Sequence, residues 1–218
     1  MWSVDLRLDS ASLAELRRTL SADEENRAQR FRSAADKDSS IASHGILRAL
    51  LARYTRQRSE QLTFSDGPNG KPALTSSSND KDVQFNLAHS GDHALIAIAS
   101  GREVGVDIER VMQQDDHERI ARRFFSPLEL ASFLECPETQ RAEAFFRHWV
   151  RKEAYLKARG FGLTRHEEGF DVPLTEARVS VFAHVDGTTW TAREVLPAPG
   201  YAGAVVAQGR DWRLRSFD

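Results

Sequence analysis

With 218 residues, 40% hydrophobic and 28% charged, the chain has the composition of an ordinary globular protein, long enough for a substantial core in one domain or two small ones. Thirty Lys and Arg against thirty-two Asp and Glu leave a formal charge of -2, which speaks against a general nucleic-acid binder with a net basic face but leaves room for a local basic groove. No run approaches the roughly 20 apolar residues of a membrane span, no basic segment leads into a long apolar run at the start, and the lone Cys136 excludes an intramolecular disulfide and a multi-cysteine metal site.

Trp2, Val4, Leu6 and Leu8 alternate with polar residues, the period of a half-buried strand. Ser10 then precedes an expected helix over Ala11 to Leu20, and Ser21 with Glu24 has the spacing of a capping box. A longer helix is expected from about Asp36 to Arg56, with Ile41, Ile46, Leu47, Leu50 and Leu51 as its apolar stripe. From Ser65 to Asp82 the chain is rich in Gly, Pro, Ser, Asn and Asp and reads as loops around Pro72-Ala73-Leu74. Strand-like runs follow at Val83 to Ala88, Ala94 to Ala99 and Glu103 to Glu109. Gly91-Asp92 and Ser100-Gly101 provide turns between them, so an antiparallel meander is expected.

Helices are then expected at Glu118 to Phe124, Pro127 to Leu134 and Glu138 to Ala158, the last closed by Gly160 and Gly162. The remainder reads as four strands, near Val179 to His184, Trp190 to Val195, Ala202 to Ala207 and Trp212 to Phe217. Helices, strands, helices and strands in blocks indicate an α+β fold. Val4 to Arg7 and Val106 to Glu109 invite comparison as corresponding strands of two similar halves, 1–105 and 106–218.

Four segments carry candidate chemistry. In Gly105-Val106-Asp107-Ile108-Glu109 the two acids share one face of a strand. Two adjacent carboxylates repel unless a cation lies between them, and magnesium commonly takes one or two carboxylates plus phosphate and water oxygens. Taken alone, solvated surface acids are the plainer reading. In Trp149-Val150-Arg151-Lys152-Glu153-Ala154-Tyr155-Leu156-Lys157, Glu153 and Lys157 stand one helical turn apart. They form either a structural ion pair or a metal-and-phosphate pair. Phe85-Asn86-Leu87-Ala88-His89-Ser90 runs a strand into a turn with a histidine and a hydroxyl, either ordinary turn chemistry or a phosphate donor. Gly70-Lys71-Pro72-Ala73-Leu74 is no Walker loop, though a lysine beside a stiffened backbone can meet a phosphate.

In this order the four segments resemble the Sfp-type (surfactin-synthetase-activating) 4'-phosphopantetheinyl transferases, over roughly residues 20 to 165. The resemblance implies two pseudo-symmetric α+β halves with the active site in the cleft between them. It implies transfer of phosphopantetheine from coenzyme A, as co-substrate, to a serine of an acyl or peptidyl carrier protein, releasing adenosine 3',5'-bisphosphate. Carried over by position, Asp107, Glu109 and Glu153 would surround Mg2+, with Glu153 as candidate base and Asp107 and Lys157 beside it. Lys71, Pro72, His89, Ser90, Asp107 and Lys157 would hold the coenzyme and its phosphates. A cytoplasmic monomer with no nucleic-acid or membrane partner is the expectation, and a coenzyme A or carrier-binding module without catalysis is the alternative. One departure is Asp36 to Ser40: where relatives commonly carry a basic grip on the 3'-phosphate, this chain has Ser39 and Ser40, leaving Lys37 or Arg48 to compensate. Arg122, Arg123, Phe124 and Phe125 read equally as a carrier dock or as core aromatics beside solvated arginines.

Overall fold

The computed structural model describes residues 1–67, 70–79, 81–112, 116–161, 170–173, 175 and 177–218. The opening alternation forms β1 (Trp2–Asp5), and three helices follow: α1 (Ser10–Arg17), α2 (Ala22–Ala28) and α3 (Ala34–Thr55). Asp9, not Ser10, caps α1, because its carboxylate accepts from the Ser12 backbone N–H at 2.8 Å. The expected Ser21–Glu24 capping box is present on α2. Glu24 is also buried and pairs with buried Arg48 of α3 at 2.7 Å, while the Arg48 guanidinium donates to the Ser59 and Leu62 carbonyls. Arg48 is therefore a brace, fully committed inside the first half.

The Gly- and Pro-rich stretch is more ordered than loops, since β2 (Phe64–Asp66) and β3 (Pro72–Leu74) pair as a hairpin. Next come β4 (Val83–Ser90) and β5 (His93–Ser100), joined through Gly91 in the left-handed region at φ 55°. The first sheet has the order β1-β5-β4.

β6 (Val104–Arg110) does not continue this sheet, so the expected meander stops after two strands. It opens a second sheet of order β6-β9-β8-β7, formed with β7 (Val179–Ala183), β8 (Thr189–Val195) and β9 (Tyr201–Gln208). The link back to β4 is a side chain: Asn86 Oδ1 accepts from the Val106 N–H at 2.8 Å. In both sheets the first strand of the half pairs antiparallel with its last strand, β1 with β5 and β6 with β9. Ala88, Leu95 and Ala97 of the first sheet and Val104, Val106, Ile108 and Val205 of the second share one apolar seam.

Between β6 and β7 lie α4 (His117–Phe124), α5 (Pro127–Leu134) and α6 (Arg141–Arg159), the last preceded by a 3-10 turn at Glu138–Gln140. Gly160 ends α6 at φ 79°, while Gly162 lies outside the described residues. The fourth terminal strand is not formed. Trp212 and Leu214 pack on the seam, but both edges of the second sheet, β6 and β7, lie elsewhere in the order. The tail makes one isolated parallel bridge, Phe217 to Trp2, whose rings stack at 4.5 Å. Alternating burial is what the sequence pattern recorded there, without a ladder.

α6 lies directly on β6. A Cβ built on Gly105 would stand 2.0 Å from the Ala154 carbonyl oxygen and 2.5 Å from the Ala158 nitrogen. Helix and strand backbones thus touch where only glycine fits. Gly105→Ala should lower unfolding free energy by about 3 kcal/mol or more in urea titrations. Gly187→Ala, which meets nothing within 4 Å but has φ 83°, should cost about 1 kcal/mol. Equal losses would remove the close-approach argument.

Candidate active site

The contact at Gly105 sets the register of α6 against β6, and with it the site. Val106 and Ile108 enter the seam, while Asp107, 3% exposed, and half-buried Glu109 turn toward α6. On α6, Glu153 is 6% exposed. Lys157 does not form the helix-face pair with Glu153. Its ammonium instead donates to Asp107 Oδ1 across the two elements at 2.6 Å. Glu109 Oε2 accepts from the Ser90 hydroxyl at 3.0 Å, and Ser90 Oγ accepts in turn from the Arg110 N–H at 3.2 Å. The end of β4 thus orients the second acid of β6.

One lysine faces three acids, and their acidities record the imbalance. Burial raises Asp107 to about 6, even with Lys157 opposing. Burial, followed by the charge of Asp107, raises Glu153 to about 7, again against Lys157. Burial also raises Glu109, opposed by Ser90 and Lys157. Asp107 Oδ2 is buried without a hydrogen-bond partner. Among the described residues, no three His, Cys, Asp or Glu groups are close enough to hold a metal by themselves. A cation here would take an incomplete carboxylate set and fill its sphere with phosphate and water oxygens, which suits magnesium. The unsatisfied oxygen of Asp107 and the raised pKa values of Glu109 and Glu153 fit such a guest.

The other sequence candidates are placed as follows. His89 reaches solvent at the end of β4, yet the protein around it lowers its pKa, as do His44 and Lys157, with Asp36 opposing. Pro72 is exposed and helps line a cavity of about 150 Å³ with Arg27, His44, Phe85 and Asn86. Lys71 Nζ donates to the Val104 and Ala158 carbonyls, each at 2.9 Å. In the Asp36–Ser40 stretch Ser40 is buried, its carbonyl accepting from His44 Nδ1 at 2.9 Å. Lys37 donates to Gln29 at 2.7 Å. Phe125 is buried among the aromatics of α4 to α6, Phe124 sets its edge on Trp149, and Arg122 pairs with Glu118 at 2.6 Å. Phe125 thus belongs to the core, Phe124 is half-buried, and Arg122 and Arg123 lie on the surface.

Two supporting groups escaped the sequence reading. Asn86 sits inside the FNLAHS segment but works by capping β6. Glu129 of α5 is buried and bonds the Lys152 ammonium at 2.6 Å and the Val172 N–H at 2.9 Å. It also closes a capping box with Ser126, and the Ser-Pro-Leu-Glu spacing at 126–129 was the available signal.

Among the described residues, no helix is long and apolar enough to cross a membrane. Residues 103–206 match the family described as 4'-phosphopantetheinyl transferase superfamily, and residues 9–101 match the one described as 4'-phosphopantetheinyl transferase, N-terminal. The chain is 34% identical over 213 residues to the 4'-phosphopantetheinyl transferase HetI of Nostoc sp., covering 98% of this chain and 89% of that one. It is 28% identical over 210 residues to the 4'-phosphopantetheinyl transferase ffp of Bacillus subtilis, covering 96% and 91%. To the 4'-phosphopantetheinyl transferase Sfp of Bacillus subtilis it is 26% identical over 194 residues, covering 88% and 84%.

The raised pKa values fix a pH dependence. A carboxyl whose folded pKa lies above its unfolded value binds its proton more tightly in the folded state, so its contribution is complete below the unfolded pKa and lost as pH rises through the folded one. With Glu153 at about 7 against a model-compound value of 4.5, stability in chelator should fall as pH rises across that window. Glu153→Gln should flatten the slope in urea titrations from pH 4.5 to 8. An unchanged slope would show that Glu153 ionises without strain.

Proposed function

This chain belongs to the 4'-phosphopantetheinyl transferase superfamily, and from that premise we propose how its β6–α6 cleft carries out the transfer. The protein is an enzyme of the holo-acyl-carrier-protein synthase type, moving phosphopantetheine from coenzyme A to a carrier protein. The observation that carries the assignment of residues is the Lys157–Asp107 pair at 2.6 Å beside a buried Glu153.

Asp107 would hold magnesium beside the pyrophosphate of coenzyme A, with Glu109 and Glu153 drawn in to it once the ion and its phosphate oxygens are bound. That ion supplies positive charge to oxygens whose negative charge grows during transfer. Support comes from the unpartnered Asp107 Oδ2 and from pKa values that burial, and after it the neighbouring carboxylates, raises at Asp107 and Glu153. Lys157 is positioned by Asp107, and its remaining N–H groups are available to a phosphate oxygen. His89 and Ser90, at the end of β4, would meet the coenzyme, while Ser90 also keeps Glu109 in place.

The carrier's serine oxygen forms a bond to the β-phosphorus, and the bond from that phosphorus to the oxygen of the departing bisphosphate breaks. The serine proton passes to Glu153, directly or through one water, and from there to solvent. In the free protein burial, then the charge of Asp107, holds the Glu153 carboxyl near 7, and with the ligands bound it would serve as base through its position beside the reacting groups. Lys157 stabilises the charge of the departing phosphate. Two sheets in one chain sharing one apolar seam support a monomer, and the single cysteine is compatible with a cytoplasmic setting.

Mass spectrometry tests this directly. An apo-carrier incubated with coenzyme A, magnesium and the enzyme should gain one phosphopantetheine. Chelator should abolish the gain, and Asp107→Ala or Glu153→Gln should slow it by about 10²-fold or more. No gain on fatty-acid, polyketide or peptide-synthetase carriers would overturn the assignment, and full activity of both variants would overturn the roles.

A further inference from the structure

We propose that Lys71 is a positioning residue, a cationic strut that ties the β2–β3 hairpin to the end of α6 and the start of β6, and thereby holds Glu153 and Lys157 opposite Asp107. The proposal rests on the transferase reading for its kinetic consequence and on geometry for its basis.

The Lys71 ammonium has three N–H donors. One goes to the Val104 carbonyl and one to the Ala158 carbonyl, both at 2.9 Å. Val104 begins β6, three residues before Asp107, and Ala158 follows Lys157 in the last turn of α6. The carbonyls of a last helical turn lack intrahelical partners and form the negative end of the helix dipole, so a cation there satisfies both needs. The same two elements meet at Gly105, whose hydrogen faces Ala154 and Ala158. Lys71 therefore closes, from the first half, the junction that Gly105 permits within the second.

The lysine is delivered rigidly. Gly67 N–H donates to the Lys71 carbonyl at 2.8 Å, Gly70 turns through φ 83°, and Pro72 enters β3 directly after. Burial lowers the Lys71 pKa to about 8, with Glu103 opposing. A lysine serving a substrate phosphate would keep its ammonium open to the cleft. Here two of the three donors are spent on main-chain oxygens, in a place that removes hydration from the charge. Loss of the strut should let the end of α6 shift, and a shift of about 1 Å in a reacting group costs on the order of 10²-fold in rate.

The experiment compares Lys71→Met and Lys71→Arg with wild type, at a temperature where circular dichroism shows each folded. Coenzyme A and its 3'-dephospho form serve as alternative substrates. Lys71→Met should lose tenfold or more in kcat, with KM for coenzyme A within about threefold and the preference between the two substrates unchanged. Amide hydrogen exchange at residues 156–161 should quicken, and Lys71→Arg, which can still bond both carbonyls, should recover most of kcat. A tenfold rise in KM with kcat intact, or a collapsed preference for coenzyme A, would make Lys71 a phosphate ligand and overturn the strut. So would unchanged kinetics and exchange. If Lys71→Met does not fold, Lys71→Arg decides: retained kcat and exchange support the strut, and raised KM overturns it. Failure of the wild type to modify any carrier would instead count against the transferase reading, leaving the exchange result to judge the strut.

Discussion

A single backbone contact organises this molecule: β6 meets α6 at Gly105, closer than any side chain would allow. Because the strand and helix touch there, Asp107 two residues later stands within reach of Lys157 on α6. Glu109 follows on the same face of β6, and Ser90 of the first half fixes its position. The apolar seam of Val104, Val106 and Ile108 holds β6 from the opposite side. The site is thus assembled from two halves by one strand that is buried over most of its length.

Electrostatics explains why the site is costly to build and useful once built. Three acids and one lysine leave excess negative charge in a half-buried place, and burial first, then neighbouring carboxylates at Asp107 and Glu153, raises the pKa values of Asp107, Glu109 and Glu153. A core designed for stability alone would avoid this. On the proposed reading a cation brought with a phosphate ligand would relieve the imbalance, leaving the free protein strained where the bound one is satisfied. The braces Arg48–Glu24 and Lys152–Glu129, by contrast, each set a cation against a buried acid, at 2.7 and 2.6 Å.

The sequence made legible what depends on neighbours in the chain. Capping at Ser21, the alternation of β4 and β5 and the αL glycine at 160 are local, and they formed as expected. What it could not show were choices between distant partners. β6 left the meander because its ladder lies with β9, far later in the chain. Lys157 offered Glu153 as a helical neighbour, but the fold supplied Asp107 instead. Lys71 bonds carbonyls, and since every residue has a carbonyl no motif could name Val104 and Ala158. Trp212 to Phe217 shows the reverse limit, where alternation recorded burial on the seam and not a strand.

The central claim is that Asp107, Glu109 and Glu153 hold excess negative charge beside Lys157, and that ligand binding offsets it. The most direct test is a site-resolved carbon-13 NMR titration of the Glu153 side-chain carboxyl, first in chelator and then with magnesium and coenzyme A. The account predicts a midpoint near 7 in the free enzyme, raised by burial and by Asp107, and a clear fall when both ligands are present. A midpoint at the ordinary glutamate value in the free enzyme, unmoved by the ligands, would contradict it.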